Sequence, residues 1–266
     1  MGCQAKDTNP PPNQTSYYIR PHRPTDSPQI RALFLEAFAT GEGSVASVGR
    51  RRFLTQPASL IVYLLGGVGL GVVVVSGPST RRWTGALVCT AGIALFAGVR
   101  YYIAQEMLAF CDGVMRGDLG DIGEYYKAPA MFWVAVQPKE NDEEEVIGGV
   151  GLGESSLASI RPGLDMSQQI IRPRRTRTRH TAHVRRMIVS PKHRRRGIAA
   201  RLMHALIDNA ESIPTLRGLD LETSDLQPGA RRMYEGLGWR VFAEERAGNF
   251  LGTVVIRQFR RTVGGR

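Results

Sequence analysis

One short stretch decides the fold: Val189-Ser190-Pro191-Lys192-His193-Arg194-Arg195-Arg196-Gly197-Ile198-Ala199. Residues 184–189 before the loop are typical of a β-strand, and apolar residues from Ile198 to Leu206 recur at helical spacing and predict a helix ending near Ala210. The backbone N–H groups of such a strand–loop–helix turn point to one place, where the helix N-terminus adds partial positive charge. The loop therefore suits an anionic group such as a pyrophosphate.

The residue types in the loop fit that purpose. Gly197 lets the backbone approach a phosphate, Ala199 keeps the helix start narrow, and three successive arginines supply positive charge. The loop lacks both the dinucleotide G-x-G-x-x-G pattern and the Gly-Lys-Ser/Thr end of a Walker loop, so acyl-CoA is favoured over nicotinamide cofactors and nucleoside triphosphates. An ordinary basic turn before a helix explains the loop equally well if it is taken alone.

A second pattern follows downstream, Gln227-Pro228-Gly229-Ala230-Arg231-Arg232-Met233-Tyr234-Glu235-Gly236-Leu237-Gly238-Trp239. The two patterns together resemble the GNAT superfamily of acetyltransferases. The stretches 120–126, 132–135 and 193–199 resemble the membrane-anchored camello-like N-acetyltransferases, which include cysteine-S-conjugate and aspartate N-acetyltransferases of the endoplasmic reticulum. The resemblance implies an α+β fold, with a mixed, mostly antiparallel central sheet flanked by helices and an inserted apolar hairpin.

The resemblance also implies a site. Acetyl-CoA would be the co-substrate, no metal would be needed, and the acceptor would be a primary amine attacking directly in a ternary complex. Tyr234 would protonate the departing CoA thiolate, and Gln227, which stands where the family has Asn, would also contact the cofactor. The cofactor would be held by two sets of residues: Met187, Ile188 and Val189 on the pantetheine arm, and Arg194, Arg195, Arg196, Gly197, Ile198, Ala199 and Ala200 on the pyrophosphate.

The proton chemistry is consistent with these roles. A phenol is a reasonable acid for a thiolate, since the reference pKa values of about 10 for Tyr and about 8.5 for a thiol are close. Candidates for the base that takes the amine proton are Glu222 and, with less support, His183, and a water chain is the alternative. For Tyr234 a place in the core is the competing interpretation.

Two apolar runs, residues 60–76 and 83–99, contain no ionisable side chain of the Asp, Glu, Lys, Arg or His type. They predict a membrane hairpin that inserts at 58–104 and returns the chain to the side it left. Gly67 and Gly71 on the first run suit close pairing with the small residues of the second. A pair of buried core helices and a shallow hairpin dipping into one leaflet are the alternatives.

The remaining chain divides around this insertion. Residues 1–15 are expected to be a disordered tail, residues 16–57 the first strand and helix of the catalytic domain, and residues 105–266 its remainder. Within the last part, residues 155–182 are arginine-rich without hydrophobic period and predict an inserted basic loop. Glycines at 113, 117 and 120 are expected to interrupt a helix near residues 107–115.

Charge and flanking residues bear on partners and location. The chain has 35 Lys+Arg against 24 Asp+Glu, a net charge of +11, which suits a polyanionic partner. No aromatic stacking platform interleaves the arginines, so nucleic acid is disfavoured and the lipid bilayer is the expected surface partner. Arginines at 50–52 and 100 outnumber Arg81 and Arg82 at the hairpin tip, and this imbalance favours termini and catalytic domain on the cytosolic side of a membrane. By resemblance that membrane is the endoplasmic reticulum. A catalytically silent, membrane-tethered interaction protein is the competing function.

Overall fold

The computed structural model describes residues 17–75, 80–127, 131–139, 141, 143–154, 180–249 and 252–264. Its centre is a seven-stranded sheet in the order β1-β2-β3-β4-β5-β7-β6. All neighbouring strands are antiparallel except β4 and β5, which are parallel. The strands are β1 (Tyr18–Pro21), β2 (Met131–Pro138), β3 (Glu144–Glu154), β4 (Thr181–Val189), β5 (Gly218–Ser224), β6 (Arg240–Asn249) and β7 (Gly252–Thr262). The mixed, mostly antiparallel sheet confirms the predicted α+β class.

Helices flank the sheet on both faces. In chain order they are α1 (Ser27–Leu35, extended by a π-helical turn at Glu36–Thr40), α2 (Val45–Phe53), α3 (Pro57–Val75), α4 (Thr80–Arg116), α5 (Ile122–Tyr125), α6 (Ile198–Glu211) and α7 (Pro228–Gly236). Helix α6 begins at Ile198 and ends one residue after Ala210, close to its predicted bounds. Helix α2 was missed, although Ser44 supplies an ordinary N-cap by accepting a hydrogen bond from the N–H of Ser47 at 3.2 Å.

Each face of the sheet has its own hydrophobic core. On one face α6 buries an apolar stripe, with Leu202, Met203 and Leu206 fully buried against β2, β3 and β4. On the other face α1 and the end of α4 pack over β2 and β3, around Phe34 and Val134. At 14 residues, α6 owes its place to this amphipathic stripe rather than to intrinsic helix propensity.

The inserted segment forms two apolar helices, as predicted, but with different bounds. Helix α4 continues without a break from the apolar run to Arg116, passing through Gly113, so the predicted interruption of a separate helix is wrong. A glycine inside a helix costs only about 1 kcal/mol relative to alanine, and the packing of Val114 and Cys111 in the core offsets it. The second helix of the hairpin therefore also belongs to the catalytic domain.

The predicted contacts of Gly67 and Gly71 are also wrong, whereas Gly85 of the second run does pack closely. Gly67 and Gly71 have no atom within 4 Å of a Cβ position, whereas Gly69, Gly85 and Gly92 lie against the partner helix. The face of α3 that meets α4 is rotated from the one the G-x-x-x-G spacing indicated.

The apolar side chains of the hairpin lie on the surface of the protein. Leu64 is 67% exposed, Val74 71% and Leu87 70%, so the alternative of two buried core helices is excluded for these residues. Among the described helices, one is long and apolar enough to cross a membrane, with its stretch at Trp83–Arg116, and the apolar part of α3, Ser59–Val75, is shorter.

Residues 155–179 of the predicted basic insertion lie outside the described residues, as do residues 1–15 of the tail. The last two residues assigned to that insertion belong instead to β4, where Thr181 pairs with Gly218 of β5 and Ala182 with Glu154 of β3. Strand β4 thus begins at Thr181, before its predicted start at Val184, because its pairing with β5 already starts at Thr181.

Candidate functional site

The parallel strands β4 and β5 separate partway along their length. Their pairing runs from Thr181 opposite Gly218 to Val184 opposite Leu221 and stops there. Strand β4 continues to Val189, held by β3 on its other side, and β5 continues to Ser224, held by β7. Within the described chain, the edge of β4 from residue 185 to 189 therefore has no strand partner on the β5 side. Met187, Ile188 and Val189 lie on this edge.

A β-bulge in β4 lies where the two strands part. The register with β3 shifts between Gly149 opposite Ile188 and Gly151 opposite Arg185. Arg186, at the bulge, has a φ of 54°, in the left-handed region that side chains other than glycine rarely adopt. Bulges bend a strand and increase its local twist, which separates β4 from β5.

The basic loop closes the same end of β4. Gly197 is the N-cap of α6 with a φ of 75°, and a Cβ at this position would meet no atom within 4 Å. Arg195 is also left-handed, with a φ of 67°. The first-turn N–H groups of a helix have no intrahelical acceptor, and Gly197 offers no side-chain cap. Since the Ile198 side chain is 1% exposed in the core, this residue presents only its backbone to a ligand.

The three loop arginines have different surroundings. Arg194 donates from Nη1 to the carbonyl oxygen of Gly43 at 3.2 Å, while Arg195 is exposed. Arg196 lies 2.8 Å from Nδ1 of His193 and donates to the side-chain oxygen of Gln137 at 3.3 Å. All three keep positive charge at the loop, and Arg194 also ties it to the turn before α2.

Tyr234 lies on α7 against the core of the sheet. The residue is 5% exposed, and its ring centroid is 6.2 Å from that of Trp239 and 5.9 Å from that of Phe259. Burial raises the pKa of its phenol, so the hydroxyl stays protonated at neutral pH. In the part of the chain that the structure describes, this hydroxyl makes no hydrogen bond. The phenol is therefore protonated, but it is a weaker acid than the reference value of about 10 implies.

The two acidic residues of β5 differ in their partners. Asp220 forms a bidentate ion pair with Arg260, at 2.7 and 2.9 Å. Glu222 is the first residue of β5 beyond its last pair with β4, and its Oε1 accepts from the side-chain amide of Gln258 at 3.0 Å. Asp220 therefore takes part in an ion pair with β7, whereas Glu222 lies at the point where β5 leaves β4.

His183 pairs in register with Asp220, on the part of β4 where the strands are still joined. Burial and then the charge of Arg185 lower the pKa of its imidazole to about 4. The ring is therefore neutral at physiological pH but a weak proton acceptor. His183 thus lies where the two strands are still paired, whereas Glu222 follows their last pair.

Gln227 is the N-cap residue of α7, but its side chain does not cap that helix. Its side-chain oxygen accepts a hydrogen bond at 3.2 Å from the hydroxyl of Thr223, which is 6% exposed. The amide is thus directed toward the end of β5, on the side of the opening opposite Val189.

Two ion pairs near the opening were missed from the sequence. Asp118, which is 3% exposed, accepts two hydrogen bonds of 2.7 Å from Arg186 and one of 2.6 Å from the hydroxyl of Tyr126. Burial opposes ionisation of Asp118, but the hydrogen bonds and charge of Arg186 outweigh it and lower the pKa of this carboxyl.

The second ion pair joins Arg52 of α2 to Asp225, which directly follows β5, at 2.5 Å. The adjacent arginines 185 and 186 interrupt the alternation of polar and apolar residues along β4, and this interruption was the signal in the sequence for the bulge.

Comparison with known proteins identifies relatives of this chain. The model of the acetyltransferase (GNAT) family matches residues 104–239, just over half of the chain. N-acetyltransferase 8F1 of Rattus norvegicus is 27% identical over 84% of this chain and 86% of its own. N-acetylaspartate synthetase of Homo sapiens is 25% identical over 86% of this chain and 64% of its own. An N-acetyltransferase structure from Staphylococcus aureus Mu50 aligns with a TM-score of 0.46 and 12% identity, over 93% of this chain and 98% of that one.

The matched range contains both sequence patterns, the parted strands and the loop at the start of α6. The relatives named N-acetyltransferases extend the similarity over most of the chain. The chain therefore belongs to the GNAT family of acetyl-CoA-dependent N-acetyltransferases.

Proposed function

We propose that this protein is a membrane-bound enzyme that transfers the acetyl group of acetyl-CoA to a primary amine of a small molecule or protein. The observation that carries this proposal is the parting of β4 and β5 after Val184 and Leu221, next to a basic loop at a helix N-terminus. A strand edge without a partner can bind an extended amide chain as an added strand. The pantetheine arm, with its two amides, is such a chain.

In this arrangement the cofactor enters between the strands. Its amides pair with the backbone at Met187, Ile188 and Val189, and its pyrophosphate meets the N–H groups at the start of α6. The left-handed Gly197 leaves open space in front of the loop, which gives the phosphates room. Arg194, Arg195 and Arg196 add positive charge, and Gln227 lies at the opposite side of the opening.

The reaction is a direct acyl transfer. The neutral amine nitrogen attacks the thioester carbonyl carbon, a C–N bond forms, and the C–S bond breaks. Tyr234 gives its proton to the departing thiolate, and Glu222 takes the proton lost by the amine, directly or through water. Proton transfer from Glu222 back to the Tyr234 phenolate, directly or through water, then restores the enzyme. The products are the amide and free CoA.

The hairpin supports membrane attachment. A helix from Trp83 to Tyr101 rises about 27 Å at about 1.5 Å per residue, close to the ~30 Å hydrocarbon core of a bilayer. Both ends of this stretch carry an exposed aromatic residue, Trp83 at 80% and Tyr101 at 67%, as is common at membrane interfaces. The length of this second helix favours a full crossing by the hairpin of residues 60–76 and 83–99 over a shallow hairpin, although the first apolar helix is shorter.

The flanking charges support an orientation. Arginines at 50–52 and 100 lie at the base of the hairpin and outnumber Arg81 and Arg82 at its tip, which favours a cytosolic domain under the positive-inside rule. We assign the membrane to the endoplasmic reticulum on the family resemblance. Protease protection of residues 76–82 in sealed microsomes would test both the crossing and the orientation.

Calorimetric titration of the purified, detergent-solubilised chain with acetyl-CoA tests the enzymatic proposal. We expect saturable binding with one site per chain, followed by release of free CoA when a panel of primary amines, including aspartate, is added. No binding at millimolar acetyl-CoA would overturn the proposal. It would favour instead a silent tethered protein, the alternative motivated by the amide oxygen of Gln227, which is already occupied by Thr223.

A further inference from the structure

The inserted hairpin is attached to the catalytic domain at both of its ends. Helix α2 ends at Phe53, just before the first hairpin helix begins at Pro57, and α4 ends at Arg116. Each junction carries an ion pair to the sheet: Arg52 to Asp225 before the hairpin, and Asp118 to Arg186 after it. The two pairs reach different strands.

On the incoming side, Arg52 holds the end of β5. Asp225 follows this strand directly and accepts the Arg52 guanidinium at 2.5 Å. The same carboxylate accepts the backbone N–H of Val255 on β7 at 3.2 Å, and the N–H of Asp225 donates to the Val255 carbonyl at 2.9 Å. The carboxylate therefore joins α2 to the paired end of β5 and β7.

On the outgoing side, Asp118 holds the bulge of β4. Both carboxylate oxygens of Asp118 accept from Arg186, and the Arg186 guanidinium also lies 5.6 Å from the ring centroid of Phe34. A left-handed φ on a residue other than glycine costs about 1–2 kcal/mol, so the conformation persists only where its surroundings hold it. The buried pair with Asp118 and Tyr126 is that restraint.

Because β4 and β5 flank the opening, the two ion pairs hold its two sides. Building on the proposed acetyl-CoA site, we propose that Asp118 and Asp225 are positioning residues, which act through Arg186 and Arg52 to fix the separation of β4 and β5 and hence the affinity for acetyl-CoA. Neither carboxylate contacts the cofactor in this scheme. A further contact, Arg194 to the carbonyl of Gly43, ties the pyrophosphate loop to the same incoming segment.

The two hairpin junctions and the cofactor opening are therefore structurally coupled. If the Asp118 pair is broken, the bulge at Arg186 is free to relax toward regular pairing. If the Asp225 pair is broken, the end of β5 loses its connection to α2. In either case the width of the opening changes while Tyr234, on the opposite core, keeps its packing.

The test compares Asp118→Asn and Asp225→Asn with wild type and with Asp112→Asn, all as full-length chains in detergent. Asp112 forms an exposed ion pair with Arg116 on the same helix at 2.8 Å, which makes it a matched control. We expect the dissociation constant of acetyl-CoA to rise about tenfold in the first two variants, the scale of energetic coupling through contact networks. At saturating acetyl-CoA, kcat should stay within about twofold of wild type, and Asp112→Asn should match wild type throughout.

Conservative variants separate positioning from general stability. Arg52→Lys keeps a cation beside Asp225 and should retain most of the affinity, whereas Arg52→Ala should match Asp225→Asn. If Asp118→Asn does not fold, the partly exposed Arg52–Asp225 pair decides the question alone. Wild-type affinity in Asp225→Asn and Arg52→Ala, or a loss of kcat without a change in affinity, would overturn the inference. Failure of the wild-type chain to bind acetyl-CoA would instead overturn the proposed function.

Discussion

Gly85 of α4 lies so close to Gly69 of α3 that a Cβ on Gly85 would be 2.8 Å from the Gly69 carbonyl oxygen. A Cβ on Gly69 would in turn be 2.7 Å from the backbone nitrogen of Cys89. Contacts of this length are open only to glycine, and they let two helix backbones pack directly against each other. Helices α3 and α4 therefore approach each other most closely where Gly69 meets Gly85.

Replacing Gly69 with leucine should force the two helices apart. Overpacking of a tight contact costs about 1–3 kcal/mol, so we expect a lower thermal midpoint in detergent for Gly69→Leu. Gly67→Leu is the matched control, since a Cβ there meets nothing within 4 Å. Equal midpoints for the two variants would contradict the helix pairing described above.

Tyr234→Phe should separate catalysis from packing. The phenylalanine ring keeps the contacts with Trp239 and Phe259, so folding should be nearly unchanged. Loss of the general acid should lower kcat on the order of 10²-fold with little change in the KM for acetyl-CoA. Steady-state kinetics with a thiol reagent would measure both constants. An unchanged kcat would mean that Tyr234 serves the core alone.

Gly197→Ala should weaken cofactor binding more than it weakens the fold. Its φ of 75° makes alanine cost about 1–2 kcal/mol, although no atom obstructs the new methyl group. That methyl group would extend into the space assigned to the pyrophosphate, so we expect the KM for acetyl-CoA to rise about tenfold or more.

The control for this change is Gly229→Ala in the first turn of α7. This position is equally open and has no positive φ. Alanine there should leave the KM unchanged and stabilise the protein by about 0.5–1 kcal/mol, since glycine is the poorer helix former. A similar KM for both alanine variants would argue against the loop as the pyrophosphate site.

His183 should make the protein less stable in mild acid. Its folded-state pKa of about 4 lies below the unfolded value near 6.5, so the unfolded chain binds a proton that the folded chain does not. Stability is unaffected above that unfolded value and falls as pH drops from about 6.5 toward 4, by at most about 3 kcal/mol. Urea unfolding at several pH values should show this slope in wild type, and His183→Gln should remove it. An identical slope in both would exclude His183 as its source.

Asp118 should contribute a second, more acidic transition. Its pKa is lowered in the folded state, so the stability from the Arg186 pair is present above the unfolded value of about 4 and is lost below it. Wild type should therefore lose stability more steeply than Asp118→Asn below about pH 4. Parallel acid-unfolding curves for the two proteins would contradict this assignment.

Local periodicity explains what could be predicted from the sequence. The strand before the basic loop, the helix after it and the second pattern around Tyr234 are each read within about fifteen residues of chain, and all lie where they were expected. The extents of the hairpin helices and the face of α3 that meets α4 depend on contacts across the hairpin. A spacing such as that of Gly67 and Gly71 shows that one face of the helix carries small residues, but not that this face contacts the other helix.

The parts of the site that were missed depend on longer separations. Asp118 and Arg186 are 68 residues apart, and Arg52 and Asp225 are 173 apart. No pattern in the sequence pairs one arginine among many with one particular carboxylate. The distinction between Asp220 and Glu222 had the same origin, because it depends on Arg260 of a strand far along the chain.

Helix α4 is continuous from the hairpin into the catalytic domain, and this continuity constrains its length. One end of it packs against α3, and the other end places Cys111 and Val114 in the core of the domain. Each residue of an α-helix turns by about 100°, so a single insertion near residue 104 would rotate the hairpin around the domain by that angle. Insertions of about three or four residues would nearly restore the original facing. The length of α4 can therefore change only in steps of whole helical turns.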